Sequence, residues 1–359
     1  AITPATLNVN GTLVAPKVYD ASLAAAIGTP GTLATVLGTD QVLLGQTALF
    51  TNKNVSTAQV ATVTNTLSGL DASNYILANP NISTTAAITP ATLNVNGTLV
   101  APKVYDASLA AAIGTPGTLA TVLGTDQVAL NQSAVFSSKN VNTAQVATVT
   151  NTLSGLDAGN YILANPNIST TAAITPATLN VNGTLVAPKV YDASLAAAIG
   201  TPGTLATVLG TDQVALNQSA VFSSKNVSTA QVATVTNTLS GLDAGNYILA
   251  NPNISTTAAI TPATLNVNGT LVAPKVYDAS LAAAIGTPGT LATVLGTDQV
   301  ALNQSAVFSS KNVSTAQVAT VTNTLSGLDA GNYILANPNI STTAAITPAT
   351  LNVNGTVVA

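Results

Sequence analysis

The sequence predicts an all-β protein built as a tandem array of small β-sandwich units. Three observations support this: a long segment recurs along the chain, stretches rich in Val and Thr alternate within it, and turn signals separate those stretches. The segment AITPATLNVNG begins at five positions with a constant spacing of 86 residues, at Ala1, Ala87, Ala173, Ala259 and Ala345. Repetition is therefore the main organising feature of the chain.

The length of the repeat favours separate domains over a solenoid. A segment of this length can enclose its own core, whereas solenoid repeats of about 20 to 50 residues share a core with their neighbours. No Gly/Ser-rich or charged linker separates the copies, so we expect neighbouring units to be joined stiffly into an elongated rod.

Because the opening segment occurs five times, the boundaries of the repeats can be placed in two ways. We predict that residues 1–15 are the closing strand of a preceding repeat. The four repeat units are then 16–101, 102–187, 188–273 and 274–359. Boundaries at 1–86 and its translations are the alternative.

Alternation within the first copy indicates strands. Leu7 and Val9 fall on one face of TLNV, and QVATVTNTL combines Val with Thr, a composition that favours strands. Turn signals recur at Asn10-Gly11, Thr29-Pro30-Gly31, Gly38-Thr39-Asp40, Ser68-Gly69 and Asn79-Pro80-Asn81. Turns at such short intervals are typical of a sandwich.

One stretch favours a helix instead. SLAAAIG, from Ser22 to Gly28, places good helix formers after a Ser that is a favourable N-cap residue. A helix there would give an α+β unit of β-grasp type, which is the alternative fold.

The segment LSGLDASNY, which ends at Tyr75, has the spacing of a corner. In immunoglobulin-like sandwiches this corner precedes a late strand, and its Tyr hydroxyl bonds back to the backbone. We therefore predict immunoglobulin-like units in which an Asp and a Tyr hold each corner; a ligand-facing Tyr is the alternative. The predicted structural residues are Asp71, Tyr75, Asp157, Tyr161, Asp243, Tyr247, Asp329 and Tyr333.

The composition leaves little catalytic chemistry. The chain has no Cys or His, and its eight basic and twelve acidic residues are all Lys and Asp, for a net charge of −4. We therefore predict no enzyme activity, no cofactor and no metal site. So few basic residues disfavour a nucleic-acid partner. No apolar run reaches the roughly 18 residues of a membrane span.

The charged residues of the first repeat have two readings. Lys17, Asp20, Asp40, Lys53 and Asp71 are expected to be ordinary solvated charges. The alternative is a Lys–Asn isopeptide cross-link, formed by Lys17 with Asn79 or Asn81 and assisted by Asp40 as the buried acid.

Several motifs together resemble a known family. KVYDAS begins at Lys17, GTDQV at Gly38 and KNVSTAQVATV at Lys53, and LSGLDASNYIL is followed by ITP. They are similar to the YDG-type tandem repeats of filamentous-haemagglutinin-like bacterial surface adhesins, and the resemblance covers the whole repeat four times. Ala21 stands where the family usually has the Gly of Tyr-Asp-Gly, which weakens the expectation of a left-handed turn there.

The resemblance implies a bacterial protein that is secreted or displayed on the cell surface. We expect the chain to be a fragment of a longer adhesin and to serve as a structural stalk, with neighbouring repeats of the same chain as its partners. Two alternatives remain open. The repeats themselves bind host glycan or matrix protein multivalently, or copies of the chain assemble into a multi-chain extracellular fibre.

Overall fold

The structure is a computed structural model and describes residues 1–355. For the description, repeats 1 to 4 are residues 1–86, 87–172, 173–258 and 259–344, and a strand that crosses one of these limits is assigned to the repeat in which it begins. The chain divides into two compact units, Ala1–Ala177 and Thr178–Ala359, each treated by itself below. The described part consists of strands, turns and loops, with four short 3₁₀ turns as its helical segments.

The strands recur in the same order in each repeat. Repeat 1 contains β1 Ala5–Asn10, β2 Leu13–Val14, β3 Lys17–Val18, β4 Ala24–Ala25, β5 Ile27–Thr29, β6 Thr32–Ala34, β7 Leu43–Phe50, β8 Ser56–Ser68, β9 Tyr75–Leu77 and β10 Asn81–Thr89. Repeat 2 contains β11 Ala91–Leu93, β12 Val95–Asn96, β13 Leu99–Val100, β14 Lys103–Val104, β15 Ala110–Ala111, β16 Ile113–Thr115, β17 Thr118–Leu119, β18 Ala129–Phe136, β19 Asn142–Ser154, β20 Tyr161–Leu163 and β21 Asn167–Thr175.

The later repeats follow the same plan. Repeat 3 contains β22 Ala177–Leu179, β23 Val181–Asn182, β24 Leu185–Val186, β25 Lys189–Val190, β26 Ala196–Ala197, β27 Ile199–Thr201, β28 Thr204–Leu205, β29 Ala215–Phe222, β30 Ser228–Ser240, β31 Tyr247–Leu249 and β32 Asn253–Thr261. Repeat 4 contains β33 Ala263–Leu265, β34 Val267–Asn268, β35 Leu271–Val272, β36 Lys275–Val276, β37 Ala282–Ala283, β38 Ile285–Thr287, β39 Thr290–Leu291, β40 Ala301–Phe308, β41 Ser314–Ser326, β42 Tyr333–Leu335 and β43 Asn339–Thr347. The 3₁₀ turns are Ala72–Asn74, Ala158–Asn160, Ala244–Asn246 and Ala330–Asn332.

Each repeat has a five-stranded sheet with its longest strand at the centre. In repeat 1 the order is β3-β10-β8-β7-β4, and β8 runs antiparallel to both β7 and β10. A second sheet has the order β6-β1-β9, in which β1 and β9 are parallel. Equivalent five-stranded sheets recur in the other three repeats. The all-β sandwich predicted from the repeat is confirmed.

The alternation of buried and exposed side chains along the long strands shows where the core lies. On β8, Ala61 and Val63 are fully buried, whereas Thr62 and Thr64, which alternate with them, are exposed. The buried face packs in one cluster with Phe50 of β7 and with residues of the neighbouring strands. Because side chains alternate with a period of two, the Thr residues form the outer face of the sheet.

The alternative helix at Ser22 is wrong. Ala24 and Ala25 form β4 and pair with Leu49 and Ala48 of β7. So short a helix would have to meet its nucleation cost with few hydrogen bonds, whereas pairing with the edge of β7 satisfies the same backbone. Tertiary pairing therefore overrides the helix propensity of the Ala-rich stretch.

The opening segment is divided between two repeats, because residues 87–89 belong to β10 of repeat 1 and the strand that follows Pro90 pairs with repeat 2. Ala91–Leu93 lies parallel to Tyr161–Leu163 of repeat 2, and repeat 1 ends with β10, where Thr89 pairs with Val18. Pro90 has no N–H and separates the two strands. The pairing therefore changes from one repeat to the next at Pro90, within the opening segment, whereas the boundaries predicted at 16, 102, 188 and 274 lie later in each copy. The last four residues of the predicted unit 274–359 lie outside the described part.

The left-handed turn is present although Ala replaces Gly. The φ angles are 61° at Ala21, 62° at Ala107, 61° at Ala193 and 62° at Ala279, so the weakened expectation of this turn was wrong. A local hydrogen bond holds the conformation, since the Ser22 N–H donates to Asp20 Oδ1 at 2.9 Å. Such an Asp-centred turn tolerates left-handed backbone, at a cost of roughly 1–2 kcal/mol for a residue with a Cβ.

Candidate functional site

Each predicted corner residue anchors a loop within its own repeat. The Tyr75 hydroxyl donates to Asp40 Oδ2 at 2.7 Å and accepts from the Leu37 N–H at 3.1 Å. Asp71 Oδ2 accepts from the Gln41 N–H at 2.8 Å. The Tyr partner is thus a distant loop, not the nearby upstream backbone of an immunoglobulin corner. A structural role for these residues remains the prediction.

The later repeats reproduce these contacts. Each Tyr hydroxyl donates to an Asp at 2.7 Å, in the pairs Tyr161–Asp126, Tyr247–Asp212 and Tyr333–Asp298. Each corner Asp accepts a backbone N–H, in the pairs Asp157–Gln127, Asp243–Gln213 and Asp329–Gln299. The loop carrying the Tyr-bound Asp is therefore held in the same way in all four repeats.

In the first compact unit this Asp also binds the preceding repeat. The Asp126 side chain is 1% exposed, and its Oδ1 accepts from Lys53 Nζ at 2.7 Å. Its Oδ2 accepts from the hydroxyls of Tyr19 at 2.6 Å and Tyr161 at 2.7 Å. Lys53 and Tyr19 belong to repeat 1, so one buried carboxylate joins two repeats. We call these four residues the junction cluster.

Aromatic and amide contacts extend the junction. The Tyr19 and Tyr161 rings meet edge to face with centroids 5.4 Å apart. The Val55 N–H donates to Asn160 Oδ1 at 2.9 Å, and Asn160 Nδ2 donates to Asn54 Oδ1 at 3.2 Å. Side chains of both repeats also share one apolar cluster. The two sandwiches are therefore packed against each other rather than tethered by a linker.

The second compact unit contains the same arrangement. Asp298 accepts from Tyr191 at 2.5 Å, from Lys225 at 2.6 Å and from Tyr333 at 2.7 Å. The two Tyr rings again lie 5.4 Å apart, edge to face. The Val227 N–H donates to Asn332 Oδ1 at 2.9 Å. The junction is thus a repeated structural feature of the chain.

The charge states of the cluster follow from these contacts. Burial alone would raise the pKa of Asp126, but hydrogen bonds from Lys53, Tyr19 and Tyr161 outweigh it and hold that pKa below its ordinary value. Burial, with the hydrogen bond to Asp126, raises the pKa of Tyr161 to about 12. The hydrogen bond to Asp126 also raises the pKa of Lys53. Around neutral pH the cluster therefore contains a carboxylate, an ammonium group and two neutral phenols.

A family model identifies the repeats. The model of the YDG domain matches residues 3–84, 89–170, 175–256 and 261–345. The chain belongs to the YDG domain family. Each match begins within the opening segment of a repeat, as the strand pairing also indicates.

Two further comparisons add little to the family assignment. No curated protein matches the chain. The three N-terminal domains of the Highly Immunogenic Outer Capsid protein (Hoc) of bacteriophage RB49 have a TM-score of 0.20 and 11% identity, over 86% of this chain and 99% of that one. A likeness at this level supports no conclusion about the YDG domains.

The isopeptide alternative is not supported by the geometry of the YDG domain. Lys17 Nζ donates to Asp20 Oδ1 at 2.7 Å and to the carbonyls of Ser22 and Ala24. The Asn79 amide instead brackets the backbone of Val9, donating to its carbonyl and accepting from its N–H. The proposed reactants therefore hydrogen-bond to separate parts of the sandwich.

Sequence reasoning missed the junction cluster. It treated Lys53 and the GTD aspartate as solvated charges, although KNV, GTD and KVYD all lie within the YDG motifs. The contacts span 73 residues from Lys53 to Asp126 and 107 from Tyr19 to Asp126. These separations cross from one repeat into the next. A search within one repeat therefore could not find them.

Within residues 1–355, His, Cys, Asp and Glu side chains form no group of three or more that could hold a metal ion. The helical segments of that same part are too short to cross a membrane.

Proposed function

We propose that the four YDG domains form a structural spacer, a stalk or fibre segment of a bacterial adhesin that separates a binding tip from the cell surface. The observation that carries this proposal is the junction cluster, in which a carboxylate that is 1% exposed is shared by two successive domains. A shared buried charge resists bending, because tilting the domains apart would leave that charge without partners. Stiff connection is what a spacer requires.

A non-catalytic role follows from the same chemistry. The junction cluster joins two domains, and its Asp, Lys and Tyr side chains are hydrogen-bonded to one another. Those contacts leave the groups little freedom to act on a substrate. The nearly identical repeats also suit adjustment of length more than a reaction.

Small-angle scattering of the whole chain tests the spacer role. Strands of about ten residues give a domain roughly 30–40 Å long, so four in line form a rod of roughly 120–160 Å. Such a rod has a radius of gyration of roughly 35–45 Å, whereas a compact globule of this length has about 21 Å. A value near the compact one would overturn the proposal.

Export to the cell surface is part of this proposal. The YDG family assignment and the absence of Cys support it. Protease treatment of intact cells should release the repeats while cytosolic proteins stay intact. Protection of the repeats until lysis would count against a surface location.

Multivalent binding is a second candidate, favoured by one recurring surface feature. Repeats 2, 3 and 4 each have an open depression of about 450 to 460 Å³. In repeat 2 it is lined by Leu153, Gly159, Tyr161, Ile162 and Pro166, among others. Identical weak sites on one chain would gain strength through avidity. Saturable binding of the chain to host glycans or matrix proteins that weakens stepwise as Ile162→Asp, Ile248→Asp and Ile334→Asp are combined would favour this candidate over a pure spacer.

A further inference from the structure

We propose that oxidation joins the paired tyrosines of the junctions within each compact unit through a dityrosine bond, a covalent carbon–carbon link between successive repeats. The pairs are Tyr19 with Tyr161 in the first compact unit and Tyr191 with Tyr333 in the second. This modification goes beyond the spacer role and does not depend on it, since it needs only the local geometry of two neighbouring repeats.

The composition of the chain directs oxidation to tyrosine. The chain has eight Tyr and no Cys, Met, Trp or His. Cys and Met are the side chains on which oxidation ordinarily falls, and Trp competes with Tyr as a donor of single electrons. Tyr is therefore the most easily oxidised side chain of this protein, and an oxidant that removes one electron from the chain takes it from a Tyr.

The two phenols of a pair converge at their hydroxyl ends. Asp126 Oδ2 accepts from the Tyr19 hydroxyl at 2.6 Å and from the Tyr161 hydroxyl at 2.7 Å. Because both hydroxyls bind the same acceptor atom, their oxygens cannot lie further apart than these two hydrogen bonds placed end to end. The rings themselves meet edge to face with centroids 5.4 Å apart. The ring carbons next to the hydroxyls, at which phenoxyl radicals couple, therefore lie at the converging ends of the two rings.

Burial favours coupling within the chain. Tyr19 is 2% exposed and Tyr161 is 5% exposed. An electron can leave a ring without direct contact between that ring and the oxidant, whereas coupling requires two rings to touch. The radical of one buried Tyr therefore meets its partner in the same chain and not a Tyr of another molecule.

The shared carboxylate is the proton acceptor. Oxidation of a phenol to its radical releases the hydroxyl proton, and both hydroxyls already donate to Asp126. Burial would raise the pKa of Asp126, but hydrogen bonds from Lys53 and the two Tyr residues hold that pKa below its ordinary value. The carboxylate is therefore ionised around neutral pH and can take up the proton that an oxidised Tyr releases.

The overall step consumes hydrogen peroxide through a haem peroxidase, which removes electrons singly. Each Tyr loses one electron and its hydroxyl proton, and Asp126 receives each proton in turn and releases it to solvent. The two radicals form one carbon–carbon bond. The hydrogen on each newly bonded carbon then moves to the oxygen of its ring, which restores both phenols. The two electrons and two protons reduce one peroxide molecule to two water molecules, so the protein loses two hydrogen atoms per bond.

Peptide mapping locates the bond in the first compact unit. The whole chain, dilute enough to keep molecules apart, is treated with hydrogen peroxide and a haem peroxidase, then unfolded and digested with trypsin. Cleavage after Lys yields the fragments 18–53 and 140–189, each of which contains a single Tyr, namely Tyr19 and Tyr161. These fragments should be recovered as one linked species that lacks two hydrogen atoms relative to their sum. Free tyrosine in a parallel reaction shows that the oxidant is active.

Two substitutions make the test specific. Tyr19→Phe keeps the ring but removes the hydroxyl, so the linked species should disappear. Tyr75→Phe is the matched control, because Tyr75 also donates to an Asp of its own repeat but lies outside both ring pairs. It should leave the yield of the linked species unchanged.

Oxidation of the wild-type chain in concentrated urea tests the geometry without a substitution. The yield of the linked species should fall to that of any other pair of Tyr-containing fragments, because unfolding separates the two rings. A chain that is oxidised while folded should instead unfold at a higher urea concentration afterwards, since a cross-link between distant residues restricts the unfolded chain.

Three results would each overturn the proposal. They are the absence of the linked species while free tyrosine is coupled, equal amounts of every pairing of Tyr-containing fragments from the folded chain, and a yield that urea leaves unchanged. None of these results affects the spacer role, which small-angle scattering measures separately.

Discussion

At the residue scale, the carboxylate of Asp126 links repeats 1 and 2. Asp126 and Asp40 occupy the same position and each accepts a hydrogen bond from the Tyr of its own repeat. Asp126 alone of the two also accepts hydrogen bonds from Tyr19 and Lys53. Substitutions at Asp126 and Asp40 therefore separate the stability that the junction contributes from the stability that the loop contributes.

Asp126→Asn should destabilise the first compact unit more than Asp40→Asn does. The substitution removes the charge that Lys53 and two hydroxyls share in a site that is 1% exposed, and such losses cost roughly 1–3 kcal/mol. Urea denaturation of the two variants measures the difference. Equal effects would show that the contacts with repeat 1 contribute nothing to stability.

The junction should also weaken at both extremes of pH. The lowered pKa of Asp126 means that its contribution is complete above its unfolded pKa of about 3.9 and is lost as pH falls through the lower folded value. The pKa of Tyr161 is raised to about 12, so its contribution is complete below about pH 10 and is lost as pH rises toward 12. The stability difference between wild type and Asp126→Asn, followed against pH, should therefore shrink outside this range. A difference that stays constant below pH 4 would contradict the assignment of the carboxylate.

Ala21→Gly should stabilise repeat 1 by up to about 1.6 kcal/mol. Relief of left-handed strain contributes roughly 1–2 kcal/mol, and the greater freedom of Gly in the unfolded chain takes back roughly 0.4–1 kcal/mol. Ala24→Gly, in strand β4, is the matched control and should destabilise by roughly 0.5–1 kcal/mol. Thermal unfolding of both variants compares them, and a destabilising Ala21→Gly would mean that the turn is unstrained.

At the element scale, the sequence predicted the strands better than their partners. Alternation in QVATVTNTL correctly indicated β8, because local periodicity determines which face is buried. The Ala-rich stretch from Ser22 favoured a helix that is not formed, because its pairing with β7 is a long-range contact that local helix propensity does not reflect. The phase of the repeat has the same origin: only strand pairing shows where in the opening segment one repeat gives way to the next.

Gly31→Ala should destabilise repeat 1 by roughly 1–3 kcal/mol. Gly31 lies where the two sheets approach closely: its N–H donates to Gln46 Oε1 at 2.8 Å, and an added Cβ would lie 2.6 Å from Val9 Cγ1 and against Thr12 Oγ1. Gly159→Ala is the control, since its Cβ would meet nothing within 4 Å. Its stability should change by less than about 0.5 kcal/mol. Similar effects of the two substitutions in urea would refute close packing at Gly31.

At the scale of the whole molecule, the repeats should be interchangeable. The residues that form the junction are the same in every repeat, namely the Tyr of KVYD, the Lys of KNV, the Asp of GTD and the Tyr of GNY or SNY. Selection for a spacer would preserve this identity, because any repeat can then follow any other.

Deleting residues 87–172 should shorten the molecule by one domain without disturbing the remaining repeats. The deletion removes one complete period, so Tyr19 and Lys53 would meet Asp212 and Tyr247, which have the same spacing as Asp126 and Tyr161. The maximum dimension in small-angle scattering should fall by roughly 30–40 Å while the cross-section stays constant. Deleting only residues 87–136 is the control: it removes β11 and β18, which pair with β20 and β19, and it should cause unfolding or aggregation. If removing a full period leaves the length unchanged, the domains do not stack in line, and the stalk proposal fails with them.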